Sequence, residues 1–172
     1  MRRRRFSRGT AKPKDWCWVT TIIGATIAEN TYEADLVTSG TWEANVNNFE
    51  RATLHAVRGW VCWVQNGAST NADICGLFMA IYKQGLTEVG QFDPRLAADY
   101  DTHDVLWTLG TQCGESGTGI NPFLNDTYQF DIKVKRKLDS ATKLSFVASM
   151  DADTATPSGQ LTGVVRCLIN RS

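Results

Sequence analysis

A chain of 172 residues with 42% hydrophobic, 10% aromatic and 21% charged residues has the composition of a single folded globular domain. Collagen-like and disordered chains are excluded on this composition, and without 18 consecutive apolar residues the sequence predicts no membrane span. The start MRRRRFSRG is not followed by the apolar core of a signal peptide, so we expect no export by the usual secretory route.

The net charge of zero conceals an uneven distribution along the chain. Residues 1–14 contain seven basic and no acidic residues, whereas residues 15–172 contain 11 basic and 18 acidic residues. The N-terminal arm (residues 1–14) therefore carries +7 and the body (residues 15–172) carries −7. An arm so densely charged cannot bury a core, so we predict that it is disordered or extended and binds nucleic acid. The predicted binding residues of the arm are Arg2, Arg3, Arg4, Arg5, Arg8, Lys12 and Lys14. The same composition is also typical of a nuclear-import signal and of a solvated terminus without a function.

The body begins with a β-branched and aromatic run after Pro13, and strand-like runs then recur to its end. Eight such runs predict eight strands, at 17–27, 31–38, 51–65, 74–83, 103–109, 127–138, 143–150 and 160–169. No long amphipathic helix is visible, although Asp93 and Pro94 predict one helical turn at 93–98 with Asp93 as its N-cap. Eight antiparallel strands arranged in two sheets predict an all-β jelly-roll sandwich that forms the shell domain.

The run at 127–138 alternates most clearly between apolar and polar residues. Tyr128 and Phe130 fall on one face, and Lys133, Lys135 and Lys137 fall on the other, as in a half-buried strand. The three lysines predict either additional phosphate contacts or a solvated strand face. Because only a short polar connection leads to the run at 143–150, we predict that these two strands form an antiparallel hairpin.

Two other strands are apolar on both faces. The strand at 74–83 has no polar side, and the strand at 51–65 places Val57, Val61 and Trp63 opposite Leu54, Trp60 and Cys62. One face of such a strand packs on the core, so the other must be covered by a loop or by another chain. Six tryptophans favour another copy of the chain, because tryptophan is enriched at interfaces. The predicted interface residues are Trp42, Trp60, Trp63 and Trp107. The alternative is that long loops at 39–50 and 84–102 cover these faces.

Motifs for catalysis or metal binding are missing from the sequence. The five cysteines are an odd number without a CxxC pair, which is typical of reduced core thiols. His55 and His103 are the only histidines. The acids around His103 (Asp99, Asp101 and Asp104) lack the glycine and the terminal glutamate of a calcium loop, which favours a polar loop over a cation site. We therefore predict a protein that is not an enzyme, with no catalytic residues, no cofactor and no metal.

The arm and three body segments resemble a known family. The start MRRRRFSRG, the strand pair at 59–64 (GWVCWV) and 77–82 (LFMAIY), and the segment at 130–138 (FDIKVKRKL) look like capsid proteins of circular Rep-encoding single-stranded DNA (CRESS-DNA) viruses. The likeness is one of layout over most of the chain. It implies a jelly-roll coat protein, an icosahedral shell of sixty copies, and a basic arm inside the virion on a single-stranded DNA genome. If the host is eukaryotic, we also expect assembly in its nucleus, with host nuclear import factors as partners, because the arm has the composition of a nuclear-import signal.

Two other classes of protein share parts of this layout. Satellite plant viruses with RNA genomes have small coat proteins, and arginine contacts phosphates that are common to DNA and RNA. A non-viral jelly-roll module, lectin-like or nucleic-acid-binding, would form a small oligomer instead of a closed shell. In each class the nucleic acid or glycan is the partner, and no membrane is involved.

Overall fold

The computed structural model of the chain describes residues 16–27, 31–37, 51–66, 75–84, 92–113, 125–139, 143–151 and 158–171. The N-terminal arm and Trp42 lie outside the described residues. The elements are β1 (Trp16–Ile27), β2 (Thr31–Val37), β3 (Arg51–Asn66), β4 (Cys75–Gln84), α1 (Ala97–Thr102), β5 (Asp104–Cys113), β6 (Asn125–Asp139), β7 (Lys143–Asp151) and β8 (Ser158–Arg171). The eight predicted strands are confirmed.

The strands form two four-stranded antiparallel sheets that pack face to face. The first sheet has the order β1-β8-β3-β6 and the second has the order β2-β7-β4-β5. Among the described strands, only β4 and β5 are both consecutive in the chain and neighbours in a sheet, and every other connection leads from one sheet to the other. This arrangement is a jelly-roll sandwich, which confirms the predicted fold class.

The predicted hairpin of β6 and β7 is wrong. β6 pairs with β3 in the first sheet, whereas β7 lies between β2 and β4 in the second. Alternation shows only that each strand has one buried face, and two such strands can bury their faces from opposite sides of one core. A short polar connection fits this crossing between sheets as well as it fits a hairpin.

The core lies between the sheets and is built from alternate residues of both. The first sheet contributes Ile23, Val61 and Val165, and the second contributes Met79 and Phe146, all essentially inaccessible to solvent. These side chains interdigitate in the single apolar layer of a two-sheet sandwich, where burial of apolar area is the main stabilising contribution.

A β-bulge changes the alternation of β3. Leu54 and Ala56 lie opposite the consecutive β8 residues Ile169 and Leu168, so β3 has one extra residue, His55. A bulge shifts the side chains before it to the other face. Leu54 is therefore buried in the core, and the prediction that it shares a face with Trp60 is wrong.

Part of the outer face of the second sheet is covered by the chain itself. Phe92 packs on Ala80 and Tyr82, and its ring centroid lies 4.8 Å from that of Tyr82 and 5.1 Å from that of His103. The prediction that another copy covers this part of β4 is therefore wrong. The alternative, a covering loop, is observed: residues 92–103 form this covering segment.

The helical turn in the covering segment begins later than predicted. α1 starts at Ala97, and Leu96 precedes it without a capping side chain. Asp93 instead accepts hydrogen bonds from the backbone N–H of Arg95 (2.9 Å) and from its guanidinium (2.7 Å), which closes a turn ahead of the helix. No helix in the described part of the chain is long and apolar enough to cross a membrane.

Candidate nucleic-acid interface

The two sheets differ in the sign of their net charge. β1, β3 and β8 contain no acidic residue, and together with β6 they hold eight basic and three acidic residues, a net charge of +5. The basic residues of the first sheet are Arg51, Arg58, Lys133, Lys135, Arg136, Lys137, Arg166 and Arg171. The second sheet holds two basic and four acidic residues, a net charge of −2. The first sheet is therefore positive although the body as a whole is negative.

Large apolar side chains are exposed on the outer face of the same sheet. Trp16, Trp18 and Trp60 are 45%, 38% and 41% exposed, and Ile22 is 79% exposed. In β1 the buried residues are Val19, Ile23 and Ile27, so the even-numbered positions point away from the core. Single exposed apolar residues are common on any surface, but a group of them on one face marks a binding surface.

The strand register brings these residues together in rows across the outer face. In one row Trp18 lies opposite Leu168, followed by Ala56 and Lys133; the next contains Thr20, Arg166, Arg58 and Asp131; the third contains Ile22, Val164, Trp60 and Gln129. Two arginines on neighbouring strands therefore lie between a row with Trp18 and a row with Trp60.

Both arginines of the middle row contact the same tryptophan. The guanidinium carbon of Arg166 lies 4.9 Å from the centroid of the Trp18 ring, and that of Arg58 lies 5.7 Å away. These are cation–π distances. Nε of Arg58 also donates a hydrogen bond to Asp131 at 2.8 Å, whereas Arg166 has no acidic partner among the described residues. Because Arg58 and Asp131 are both half exposed, this ion pair adds little stability and leaves the cations available to a ligand.

The predicted lysine stripe lies at the edge of this surface. Lys133, Lys135 and Lys137 are exposed on β6, while Phe130 and Leu138 on its other face are buried. The half-buried strand is confirmed, and phosphate binding by the three lysines stays a prediction. β6 is also an edge strand, where lysines discourage pairing with the edge of another sheet.

The tryptophans predicted at a subunit interface lie in different environments. Trp60 is exposed, as an interface role requires. Trp63 is 1% exposed in the core, so it cannot contact a second copy, and its predicted role is corrected. Trp107 is half-buried with its ring centroid 5.0 Å from that of Phe130, where it helps to close the gap between β5 and β6.

Sequence reasoning missed four residues of this surface: Trp16, Trp18, Arg58 and Arg166. The tryptophans carried a signal, because Trp16, Trp18 and Ile22 share a period of two along β1. The arginines carried none. Arg58 and Arg166 each stand alone in an apolar strand, and only the strand order places them side by side.

A second polar cluster lies on the outer face of the second sheet and joins β2, β4 and β7. The Tyr82 hydroxyl donates to Oε1 of Glu33 at 2.8 Å, and Nζ of Lys143 lies 3.3 Å from Glu33 and 3.2 Å from Asp35. Burial and the hydrogen bond to Glu33 raise the pKa of Tyr82 far above its ordinary value. Burial lowers the pKa of Lys143, but its contacts with Asp35 and Glu33 outweigh this and leave that pKa raised. Tyr82 and Lys143 therefore keep their protons, and the hydrogen bond and the ion pairs form an ion network that links the three strands.

The acids around His103 do not form a metal site. Nδ1 of His103 lies 2.9 Å from the backbone oxygen of Asp99, and Asp104 pairs with Arg136 at 2.8 Å. Within the described ranges no three histidine, cysteine or acidic residues come together in a way that could hold a metal ion.

Comparisons with known proteins find likeness only at the level of structure. No family model matches the chain, and no curated protein matches it. A solved structure from Desmodium yellow mottle tymovirus is similar with a TM-score of 0.41 and 10% identity, over 96% of this chain and 93% of that one. A structure of infectious bursal disease virus, Gx strain, is similar with a TM-score of 0.36 and 12% identity, over 92% of this chain and 32% of that one. This chain thus spans about a third of the bursal disease virus chain.

Proposed function

We propose that the protein is a viral coat protein whose copies assemble into a small closed shell around a nucleic-acid genome. The observation that carries this proposal is the basic, aromatic outer face of the first sheet. β1 begins at Trp16 on this sheet, so the N-terminal arm joins the body there. The arm (+7) and the first sheet (+5) together carry +12, which suits a polyanion.

The remaining charge supports a shell with an inside and an outside. Apart from the arm and the first sheet, the chain contains three basic and 15 acidic residues, a net charge of −12. Of the two sheets, the first (+5) therefore attracts a polyanion and the second (−2) repels it. The total of zero lets copies approach without mutual repulsion, and a net charge near zero promotes association. In the proposed shell the first sheet and the arm face the genome.

The finer assignment follows the resemblance to CRESS-DNA virus capsids. We propose an icosahedral shell of sixty copies, a single-stranded DNA genome, and entry into the host nucleus through the arm, whose charge density also suits import factors. The arm residues and the lysine stripe supply phosphate contacts, which fix position and affinity without selecting a base sequence. A satellite-type RNA coat protein would use the same contacts.

Electron microscopy and light scattering of the purified full-length protein test this proposal. We expect closed particles of one diameter at micromolar protein concentration. Small rings of a few copies would instead support a cellular nucleic-acid-binding oligomer. A stable, soluble monomer across salt concentration and pH would contradict the coat-protein function.

A further inference from the structure

The rings of Trp16, Trp18 and Trp60 are the least explained feature of the first sheet. A surface that bound only phosphates would need cations and no aromatic rings. No described segment covers the three rings, because the covering segment lies on the second sheet. Trp16 packs on His55, with ring centroids 4.4 Å apart, and Trp18 packs on the two arginines, yet each of the three rings keeps a large part of its surface in water. That surface is available to a ligand that offers it a flat apolar face.

A second copy of the chain is a poor occupant for this face. Arg58 and Arg166 occupy the middle row, between the rows of Trp18 and Trp60, so a second copy would have to place an acidic residue against each of them. The charged residues that the structure shows exposed on this face are five cations and one acid: Arg58, Lys133, Lys135, Lys137, Arg166 and Asp131. Two copies that met through this face would therefore bring two positive surfaces together. Charge complementarity favours an anion with flat rings over a second copy.

A nucleotide strand offers both features. Base faces stack on aromatic side chains while the phosphates pair with cations, and this combination is typical of proteins that bind single strands. The cation–π contacts of Arg58 and Arg166 with Trp18 place both kinds of group within one nucleotide's reach.

The spacing of the rings requires bases that are not stacked on each other. Trp16 and Trp18 are two residues apart on one face of β1, which separates them by about 6.8 Å. Trp60 lies four residues further along and two strands across, roughly 17 Å from Trp18. Bases in a duplex are about 3.4 Å apart and their faces are occupied by each other. Only an unpaired strand can present one free base to each ring.

We infer that the outer face of the first sheet binds unpaired bases by stacking them on Trp16, Trp18 and Trp60, so that the nucleic acid against it is single-stranded. This inference rests on the proposed function and names the part of the genome that the sheet contacts. Arg58 and Arg166 hold the phosphates between the stacked bases. Binding through the rings does not depend on salt, in contrast to binding through the arm.

An abasic oligomer separates stacking from phosphate binding in the full-length protein. It carries the same number of phosphates as oligothymidylate but no bases, so the arm binds both equally. We expect the unmodified protein to prefer oligothymidylate. Trp18→Ala should weaken oligothymidylate binding about 5- to 140-fold, with an unchanged salt slope and little change for the abasic oligomer. Trp60→Ala on another strand should do the same, and Trp18→Phe should restore most of the affinity.

Two further variants complete the design. Leu96→Ala removes a side chain that is 53% exposed in the covering segment, and both oligomers should bind as before. Arg166→Gln should weaken the binding of both oligomers by the same factor. It should also reduce the slope of log affinity against log salt concentration by about 0.7. Oligouridylate and a duplex serve as further probes: a duplex should gain nothing from the rings, and the preference between thymidylate and uridylate distinguishes DNA from RNA as the source of the bases.

Three results would overturn the inference. The first is equal binding of oligothymidylate and the abasic oligomer by the unmodified protein. The second is an equal loss of affinity for both oligomers in Trp18→Ala. The third is a Trp18→Ala variant that binds both oligomers normally but no longer forms particles. The last would make the face a contact between copies. Failure of the proposed function is distinct, because it would show as an unmodified protein that forms no particles whatever its preference for bases.

Discussion

At the scale of single residues, a glycine decides where one of the tryptophans lies. Trp63 fills the core because Gly159 on β8 leaves room for its indole ring. A Cβ atom at position 159 would come closer than van der Waals contact to three ring carbons of Trp63. Trp18 and Trp60 occupy the alternate positions of their strands, which point away from the core, and so lie on the outer face.

Gly159→Ala should therefore lower the free energy of unfolding by about 1–3 kcal/mol, the usual result of overpacking a core. Gly24→Ala is the matched control, because a Cβ atom there meets nothing within 4 Å. We expect the control to change stability by less than about 0.5 kcal/mol. Denaturant titration measures both, and equal effects of the two substitutions would show that Trp63 is not held by this contact.

The buried thiol of Cys167 predicts a response to alkaline pH. Burial raises its pKa to about 12 from an ordinary 9.0. Between these values the unfolded chain loses the proton and the folded chain keeps it, so stability should fall as pH rises from 9 to 12. Because the thiolate is the nucleophile, iodoacetamide at pH 9 should modify the half-buried Cys62 well before Cys167. Peptide mass spectrometry measures this order, and simultaneous modification would contradict the burial of Cys167.

At the scale of elements, the sequence predicted where strands lie but not how they pair. Period-two alternation in residues 127–138 locates β6 because one face must be buried. It does not say which sheet that face belongs to, so β6 and β7 were predicted as a hairpin. The bulge at His55 was missed for a related reason, because it depends on partners distant in sequence. The covering segment was predicted only as the alternative to a second copy, since its contacts with β4 also join residues distant in sequence.

Removal of one hydroxyl measures how much the ion network on the second sheet contributes to the free energy of unfolding. Tyr82→Phe leaves a half-buried Glu33 with one donor fewer, and we expect a loss of about 1.5–3 kcal/mol in the free energy of unfolding, the range for hydrogen bonds to charged groups. Tyr100→Phe removes a hydroxyl that donates to the neutral carbonyl of Pro94, and should cost about 0.5–1.5 kcal/mol. Thermal unfolding compares the two, and a larger loss for Tyr100→Phe would contradict the role of the network.

At the scale of the whole molecule, the charges of the arm and of the first-sheet strands sum to +12, and those of the remaining sequence sum to −12. The arm and the lysine stripe were predictable because their charges are close in sequence. The contact of Trp18 with Arg58 and Arg166 was not, because the jelly roll brings together residues from both ends of the chain. The aromatic and arginine part of the candidate interface therefore exists only in the folded chain.

Deletion of residues 1–14 should spare the fold and weaken nucleic-acid binding. If all seven arm charges contact one strand, they contribute about −5 to the slope of log affinity against log salt concentration. The truncated protein should retain a shallower slope from the first sheet, and its unfolding temperature should be unchanged. A truncated protein with the original slope, or one that unfolds at a much lower temperature, would show that the arm has another role.

The central claim is that copies of this chain enclose nucleic acid through the arm and the first sheet. Its most direct test is the amount of nuclease-resistant nucleic acid that copurifies with particles of the full-length and the truncated protein. We predict closed particles with protected single-stranded nucleic acid for the full-length protein, and particles with much less for the truncated one. Particles of the full-length protein that contain no protected nucleic acid would contradict the account.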